Sequence, residues 1–324
     1  MTKELNYKPL TVDDMRNAQQ RISESSVVRT PLIPLNIDLE SPEIYLKLEN
    51  LQPVGSFKLR GISNTVRQIP ETELKDGVWT VSAGNTAQAL AWVGREIGIT
   101  ATAVVPENAP ETKLQNIIRL GGRFVKAPFE EFARVFATRT FPGINGRFIH
   151  PFSDPLMMAG NATIGLEILE DLPDVDTVIA AYGGGGLCCG VGSAIKTIKP
   201  ETKVYAAEAV TSAPLAAALE ANLPKRIDYS LSFVDAIGSP IVQPEMFSLA
   251  RQILEGSLVV SLEDTAEAIR ILAKHNHVIS EGGGAVPIAA AITGKGGNGK
   301  VVCVVSGGNI DPNKLATILE GTMP

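Results

Sequence analysis

The stretch Thr177-Val178-Ile179-Ala180-Ala181-Tyr182 runs directly into Gly183, Gly184, Gly185 and Gly186, and Leu187 then opens a helix-like segment that reaches residue 198. An apolar run of this length reads as a buried strand. A strand that ends in glycines and feeds a helix start exposes backbone N–H groups at the positive end of a helix dipole. With no Cβ atoms in the way, an anion can rest on those donors, so the residues suit a phosphorylated ligand held by backbone. The same composition also describes a plain flexible loop, and the four glycines alone do not choose between the two.

A chain of 324 residues is long enough for a large core and about two domains. A net charge of −6, with the basic residues scattered, argues against nucleic acid or an anionic membrane surface as partner. Residues 1–10 are polar and lack the apolar centre of a signal peptide, and no apolar run is long enough to span a bilayer. A cytoplasmic location is therefore expected. The three cysteines, Cys188, Cys189 and Cys303, have no metal-ligand spacing and read as buried thiols in a reducing compartment.

Short β-rich runs alternate with longer helical ones. The strand candidates are 44–48, 78–81, 101–105, 123–126, 177–182, 204–207 and 301–305. They are almost continuously apolar, the mark of strands covered on both faces. Helix candidates are 57–68, 87–97, 113–120, 156–169, 187–198 and 265–276, and Ser261 followed by Asp264 resembles a capping box. The glycine-rich stretch 294–299 reads as a surface turn. This alternation predicts an α/β fold with mostly parallel twisted sheets flanked by helices.

In such sheets ligands bind beyond the carboxyl ends of the strands. Three predicted strands end in small, hydrogen-bonding residues: Ser82-Ala83-Gly84-Asn85-Thr86, the glycines 183–186, and Ser306-Gly307-Gly308-Asn309. Each is by itself an ordinary turn or helix cap. Their recurrence at equivalent positions points to one shared polar site.

Five motifs in order carry a resemblance. Ser56-Phe57-Lys58-Leu59-Arg60-Gly61, Ser82-Ala83-Gly84-Asn85, glycines 183–186 with Leu187, Glu281-Gly282-Gly283-Gly284-Ala285 and Ser306-Gly307-Gly308-Asn309 span most of the chain. Together they resemble the fold-type II pyridoxal-phosphate enzymes, with the tryptophan synthase beta-like architecture, and within them the serine/threonine dehydratase and serine racemase group. The resemblance implies two domains: a large cofactor-binding domain of residues 1–51 and 148–324, and a small one, 52–147, carrying the Schiff-base lysine and the substrate loop.

The resemblance also implies roles. Lys58 would hold pyridoxal 5'-phosphate, with Phe57 packed near its ring, Asn85 on the ring hydroxyl and Ser306 facing the pyridine nitrogen. Gly183, Gly184, Gly185, Gly186 and Leu187 would hold the phosphate. Ser82, Ala83, Gly84, Asn85 and Thr86 would receive the substrate carboxylate. Glu281 would sit in the same pocket, or serve as the N-terminal carboxylate of the helix that follows it. A freed, poorly solvated Lys58 amine is a base near neutral pH. A neutral Ser306 weakens the electron sink and favours loss of a β-substituent over transamination. The cofactor phosphate, with a second pKa of about 6, is a candidate proton donor to a leaving hydroxyl.

Departures from the family pattern are informative. Racemases of this group carry a serine where Ala83 stands, so dehydration is favoured here over racemisation. Some relatives hold a divalent cation with a glutamate and an acid six residues later; Glu208 matches the first, but Pro214 takes the second position, and no metal is expected. Thr86 replaces a usual histidine. Ala159-Gly160-Asn161-Ala162-Thr163 replaces Gly-Gln-Gly-Thr, which suggests room for a β-substituent as large as the phenyl of phenylserine. Arg147 and His150 are the nearest candidate cations for an acidic substrate, and His275 and His277 read as solvated residues near a helix end.

The expected function is thus a dehydratase, or ammonia-lyase, acting on a small β-hydroxy amino acid, in a homodimer. β-Replacement as in cysteine synthase, racemisation, and non-catalytic binding of a phosphorylated ligand are the competing readings. Ala83→Ser is expected to add racemisation, seen as D-product by chiral chromatography. Solvent exchange of the Cα proton with no D-product would show that a missing second base is not the only obstacle.

Overall fold

The computed structural model describes residues 7–38 and 41–324, so the readings for residues 1–6 lie outside the described residues. The predicted α/β fold is what forms. Ten strands occur among the described residues: β1 (Leu32–Pro34), β2 (Glu43–Lys47), β3 (Val78–Val81), β4 (Ala101–Pro106), β5 (Arg123–Ala127), β6 (Arg147–Phe148), β7 (Thr177–Ala181), β8 (Lys203–Ala209), β9 (Gly256–Val260) and β10 (Lys300–Val304). They build a six-stranded sheet in the order β1-β2-β10-β7-β8-β9 and a four-stranded sheet in the order β5-β4-β3-β6. All pairings are parallel except β1 with β2.

Burial explains which strands the sequence revealed. Every residue of β7 and of β3 is buried, as two-faced coverage by helices requires. β1, β6 and β9 were not predicted. All are short or only partly buried, and each lies at a sheet edge, where apolar patterning is weak. The predicted strand 123–126 is also an edge, with Arg123, Val125 and Lys126 exposed. Of the predicted capping box, only one half forms: the Ser261 hydroxyl accepts the Asp264 N–H at 3.0 Å. A full box is made instead by Thr11 and Asp14, at the start of the unpredicted helix Val12–Ser23.

The helix Pro155–Asp171 runs through the interior and packs on the helices Lys58–Val66 and Gly186–Ile198. Pro155 sets its first turn, and the Asp154 carboxylate accepts the Leu156 N–H at 2.8 Å. The segment Ala159-Gly160-Asn161-Ala162-Thr163 is buried within this helix. A Cβ at Gly160 would lie 2.7 Å from the Gly61 Cα, and Asn161 donates to the Gly186 carbonyl at 3.1 Å. The small residues there serve close helix packing, which corrects the reading that they make room for substrate.

A buried ionic cluster fixes the helix that carries Lys58. The Arg60 guanidinium donates to Glu49 through Nε and Nη2, both at 2.8 Å, and to Glu167 through Nη1 at 2.6 Å and Nη2 at 2.9 Å. Lys47 meets Glu167 at 2.6 Å and the Thr30 carbonyl at 2.6 Å. All four charged side chains are buried. Two forked pairs on one guanidinium satisfy both carboxylates in a fixed geometry. Arg60→Met removes the ion-pair partner of buried Glu49, leaves Glu167 paired with Lys47, and should cost about 3–5 kcal/mol. Equilibrium denaturation in guanidinium chloride measures this as a lowered midpoint.

Candidate active site

The segments that follow β3 and β10 meet the start of the lysine helix and Glu281. Ser56 bridges Gly307 in antiparallel fashion. The Phe57 N–H donates to the Ser306 carbonyl at 3.0 Å, Gly308 N–H to the Gly55 carbonyl at 2.9 Å, and Glu281 N–H to the Gly307 carbonyl at 3.0 Å. These bonds bring together the motifs around Lys58, Glu281 and Ser306, which lie far apart in sequence.

Lys58 is the first residue of its helix and is partly buried. Its amine donates to the Pro151 carbonyl at 2.6 Å and stands 5.0 Å from the centre of the Phe57 ring. Burial lowers it to about 8 from an ordinary 10.5, with the Glu281 carboxylate pulling the other way.

A chain of side chains crosses the site. Asn309 Nδ2 donates to Asn85 Oδ1 at 2.8 Å, and Asn85 Nδ2 donates to Glu281 Oε1 at 2.7 Å. Asn85 keeps one amide hydrogen for a ligand oxygen. Glu281 is buried, and burial pushes its carboxyl up to about 7. It precedes the helix Gly282–Ile292, yet its side chain makes no cap bond. Its carboxyl is engaged by Asn85 rather than by the helix end. Asn309 was part of a recognised motif, but its link to Asn85 was not foreseen.

Within the loop after β3, the Gly84 N–H donates to the Ser82 hydroxyl at 3.1 Å, and Thr86 is buried. Ala83 packs against an apolar cluster that includes Ala87 and Leu114. Ser306 is buried, and its carbonyl accepts the Phe57 N–H. The buried Ser56 hydroxyl has no hydrogen-bond partner among the described residues.

The glycine loop after β7 leads into the helix Gly186–Ile198, whose first-turn N–H groups have no carbonyl behind them. Gly185 has φ +89°, a left-handed conformation that suits glycine. A Cβ at Gly184 would overlap the Phe152 ring, one at Gly186 would lie 2.8 Å from the Phe152 carbonyl, and one at Gly183 would lie 2.9 Å from the Ile237 Cα. The space those Cβ atoms leave is filled by the chain itself, so packing alone requires glycine there. Leu187 is buried just behind them.

The donor set fits pyridoxal phosphate. Free backbone donors suit a phosphate, the spare Asn85 N–H and the Ser56 hydroxyl suit polar ring substituents, and an amine of lowered basicity suits an aldehyde.

Other singled-out residues lie elsewhere or act otherwise. Arg147 is exposed and pairs with Glu73 at 3.4 Å. His150 is buried near Lys58, where Nδ1 accepts the Ser153 N–H at 2.9 Å and the Phe152 N–H at 3.3 Å. Burial, reinforced by Arg139 and Lys58, holds it down at about 3, so it carries no charge. Neither supplies a substrate cation. His277 is exposed at φ 56° just after its helix, and His275 is partly buried. The three cysteines are buried and unpaired by disulfide. Burial pushes the Glu208 carboxyl up to about 7, against hydrogen bonds from Ser257, Leu215 and Ala216 that favour its ionised form. No described helix is long and apolar enough to cross a membrane.

Residues 24–307 match the family model described as pyridoxal-phosphate dependent enzyme. An L-threonine ammonia-lyase of Thermotoga maritima is 38% identical over 316 residues, 96% of this chain and 78% of that protein. Maize serine racemase superposes with a TM-score of 0.87 at 28% identity, over 97% of this chain and 98% of the other. The processed form of threonine deaminase isoform 2 from Solanum lycopersicum superposes with a TM-score of 0.84 at 29% identity, over 98% and 96%.

The lowered basicity of Lys58 has a direct consequence. Between about 8 and 10.5, Lys58 is neutral while an ordinary lysine is still charged. Reductive methylation of cofactor-free protein, resolved by peptide mass spectrometry, should show Lys58 reacting with a midpoint near pH 8, below that of the surface lysines. A shared midpoint would remove the argument from burial.

Proposed function

The chain belongs to the family of pyridoxal-phosphate dependent enzymes, and on that premise we propose that it is a dehydratase, or ammonia-lyase. It converts a β-hydroxy amino acid of the serine or threonine type to a 2-oxo acid and ammonia. The observation that carries this reading is an asymmetry: a partly buried amine of lowered basicity at Lys58 and an alanine at position 83, without a proton to exchange. Such a site has a base on one side of the substrate Cα and lacks the second base that racemisation uses. The name borne by the bacterial relative supports the same reading.

Lys58 would hold the cofactor, glycines 183–186 with Leu187 its phosphate, Asn85 its ring hydroxyl and Ser306 its ring nitrogen. When bound, pyridoxal phosphate supplies the electron sink that acidifies the proton on the substrate Cα. Lys58, poorly solvated and near neutral pKa, takes that proton. Backbone N–H groups and hydroxyls of residues 82–86 bind the substrate carboxylate. Glu281 accepts the Asn85 Nδ2 N–H and fixes the orientation of its amide. Residues around Phe57, Phe152 and His150 exclude water from the reacting atoms.

The finer assignments follow from this reading. Serine and threonine precede phenylserine as substrates, because the small residues 159–163 are used for helix packing. The protein is a cytoplasmic homodimer, its small domain formed by residues 52–147 and its large one by 1–51 and 148–324.

A substrate panel tests the proposal. Holoenzyme given serine, threonine, hydroxyaspartate and both diastereomers of phenylserine should release ammonia and 2-oxo acid, most rapidly from serine or threonine. Lys58→Ala should abolish release and the visible band of the lysine-bound cofactor. Product that forms only with an added thiol would replace dehydration by β-replacement. Protein that takes up the cofactor without a lysine adduct would be a non-catalytic binder.

A further inference from the structure

Glu208, near the end of β8, reaches into the first turn of the helix Pro214–Ala221. Its Oε1 accepts the Leu215 N–H at 2.9 Å, and its Oε2 accepts the Ala216 N–H at 2.8 Å. The Ser257 hydroxyl, from β9, donates to Oε2 at 2.5 Å. The Glu208 side chain is fully buried. Pro214 has no N–H, and the residue before it, Ala213, makes no side-chain cap. The first two donors the helix offers therefore both go to one carboxylate borrowed from a strand.

In the resembling enzymes that hold a divalent cation, the corresponding glutamate works with an acid six residues later. Here the second position is Pro214, and both oxygens of Glu208 already face N–H or O–H groups of the chain. An approaching cation would meet the positive end of a helix. The donor set does not fit a divalent cation.

The same turn backs the glycine loop. The Tyr182 N–H donates to the carbonyl of Ala207, the neighbour of Glu208, at 2.9 Å. Ser212, within the turn, accepts the Ser239 N–H at 2.8 Å. The stretch before Ser239 contains Ile237, whose backbone lies against Gly183. A shift at Glu208 is thus passed to the loop through β8 and through the segment around Ile237.

We propose that the N-terminus of the helix Pro214–Ala221 takes the place that a divalent cation holds in relatives. It satisfies Glu208 and fixes the turn behind the glycine loop, so cofactor retention and activity do not depend on divalent cations. The inference concerns the support of the cofactor site and is independent of which amino acid is the substrate.

The test uses holoenzyme dialysed against EDTA and then given Mg2+, Ca2+ or Mn2+. Melting temperature, the visible band of the bound cofactor and its dissociation rate should be the same with and without each ion. Glu208→Gln leaves one helix N–H facing an amide NH2. It should lower the melting temperature and speed cofactor loss several-fold, equally in EDTA and in Mg2+. If that variant fails to fold, Ser257→Ala, which removes only the third hydrogen bond, should show the same two effects more weakly. Pro214→Asp restores the missing acid and should make melting cation-dependent. A saturable rise in wild-type melting temperature with Mg2+ or Ca2+, lost in Glu208→Gln or Ser257→Ala, would overturn the proposal.

Discussion

Arg60 lies two residues beyond Lys58, and its guanidinium is clamped between Glu49 and Glu167. A buried guanidinium holding two carboxylates by forked bonds has one acceptable arrangement, because any departure leaves a charge unpaired in a medium that cannot solvate it. Glu49 follows β2 of the six-stranded sheet, and Glu167 stands on the interior helix Pro155–Asp171. The lysine helix is therefore referenced to the large sheet at its first turn. The position of the Lys58 amine, and with it the site, inherits that reference. Lys47 completes the charge balance from β2 itself, through Glu167.

Around that fixed point the rest of the site is assembled from backbone. The bonds from Phe57 to Ser306, Gly308 to Gly55 and Glu281 to Gly307 involve only main-chain atoms. Side chains are then free to face the ligand. Asn85 is the exception, since its amide is held at both ends, by Asn309 and by Glu281. A side chain held in this way is oriented before a ligand arrives, which is what precise placement of a single remaining donor requires.

Much of this was legible in the sequence. The continuous apolar runs that became β3, β7 and β10 announced parallel strands covered on both faces, in two sheets, and the polar segments after β3 and β10 do meet. What escaped was of two kinds. β1, β6 and β9 lie at edges, where burial no longer imposes an apolar pattern. The contacts of Asn85 join residues 196 and 224 positions away, a separation that no local pattern reports. Smallness was misread once: at 159–163 it reflects the approach of two helices, and at 183–186 too the missing Cβ atoms leave room for neighbouring parts of the chain. Composition alone does not distinguish a surface that admits another helix from one that admits a substrate.

Phe152 gives the glycine loop a history as well as a shape. Its ring and carbonyl occupy the positions where side chains on Gly184 and Gly186 would begin. Changes at the two places are therefore not independent, and their energetic effects should not add. A larger residue in the loop is accessible only after the aromatic ring has shrunk, and a smaller residue at 152 leaves a void until the loop has filled it. Loop and ring form one heritable unit, and an evolutionary path that alters the loop has to pass through both positions together.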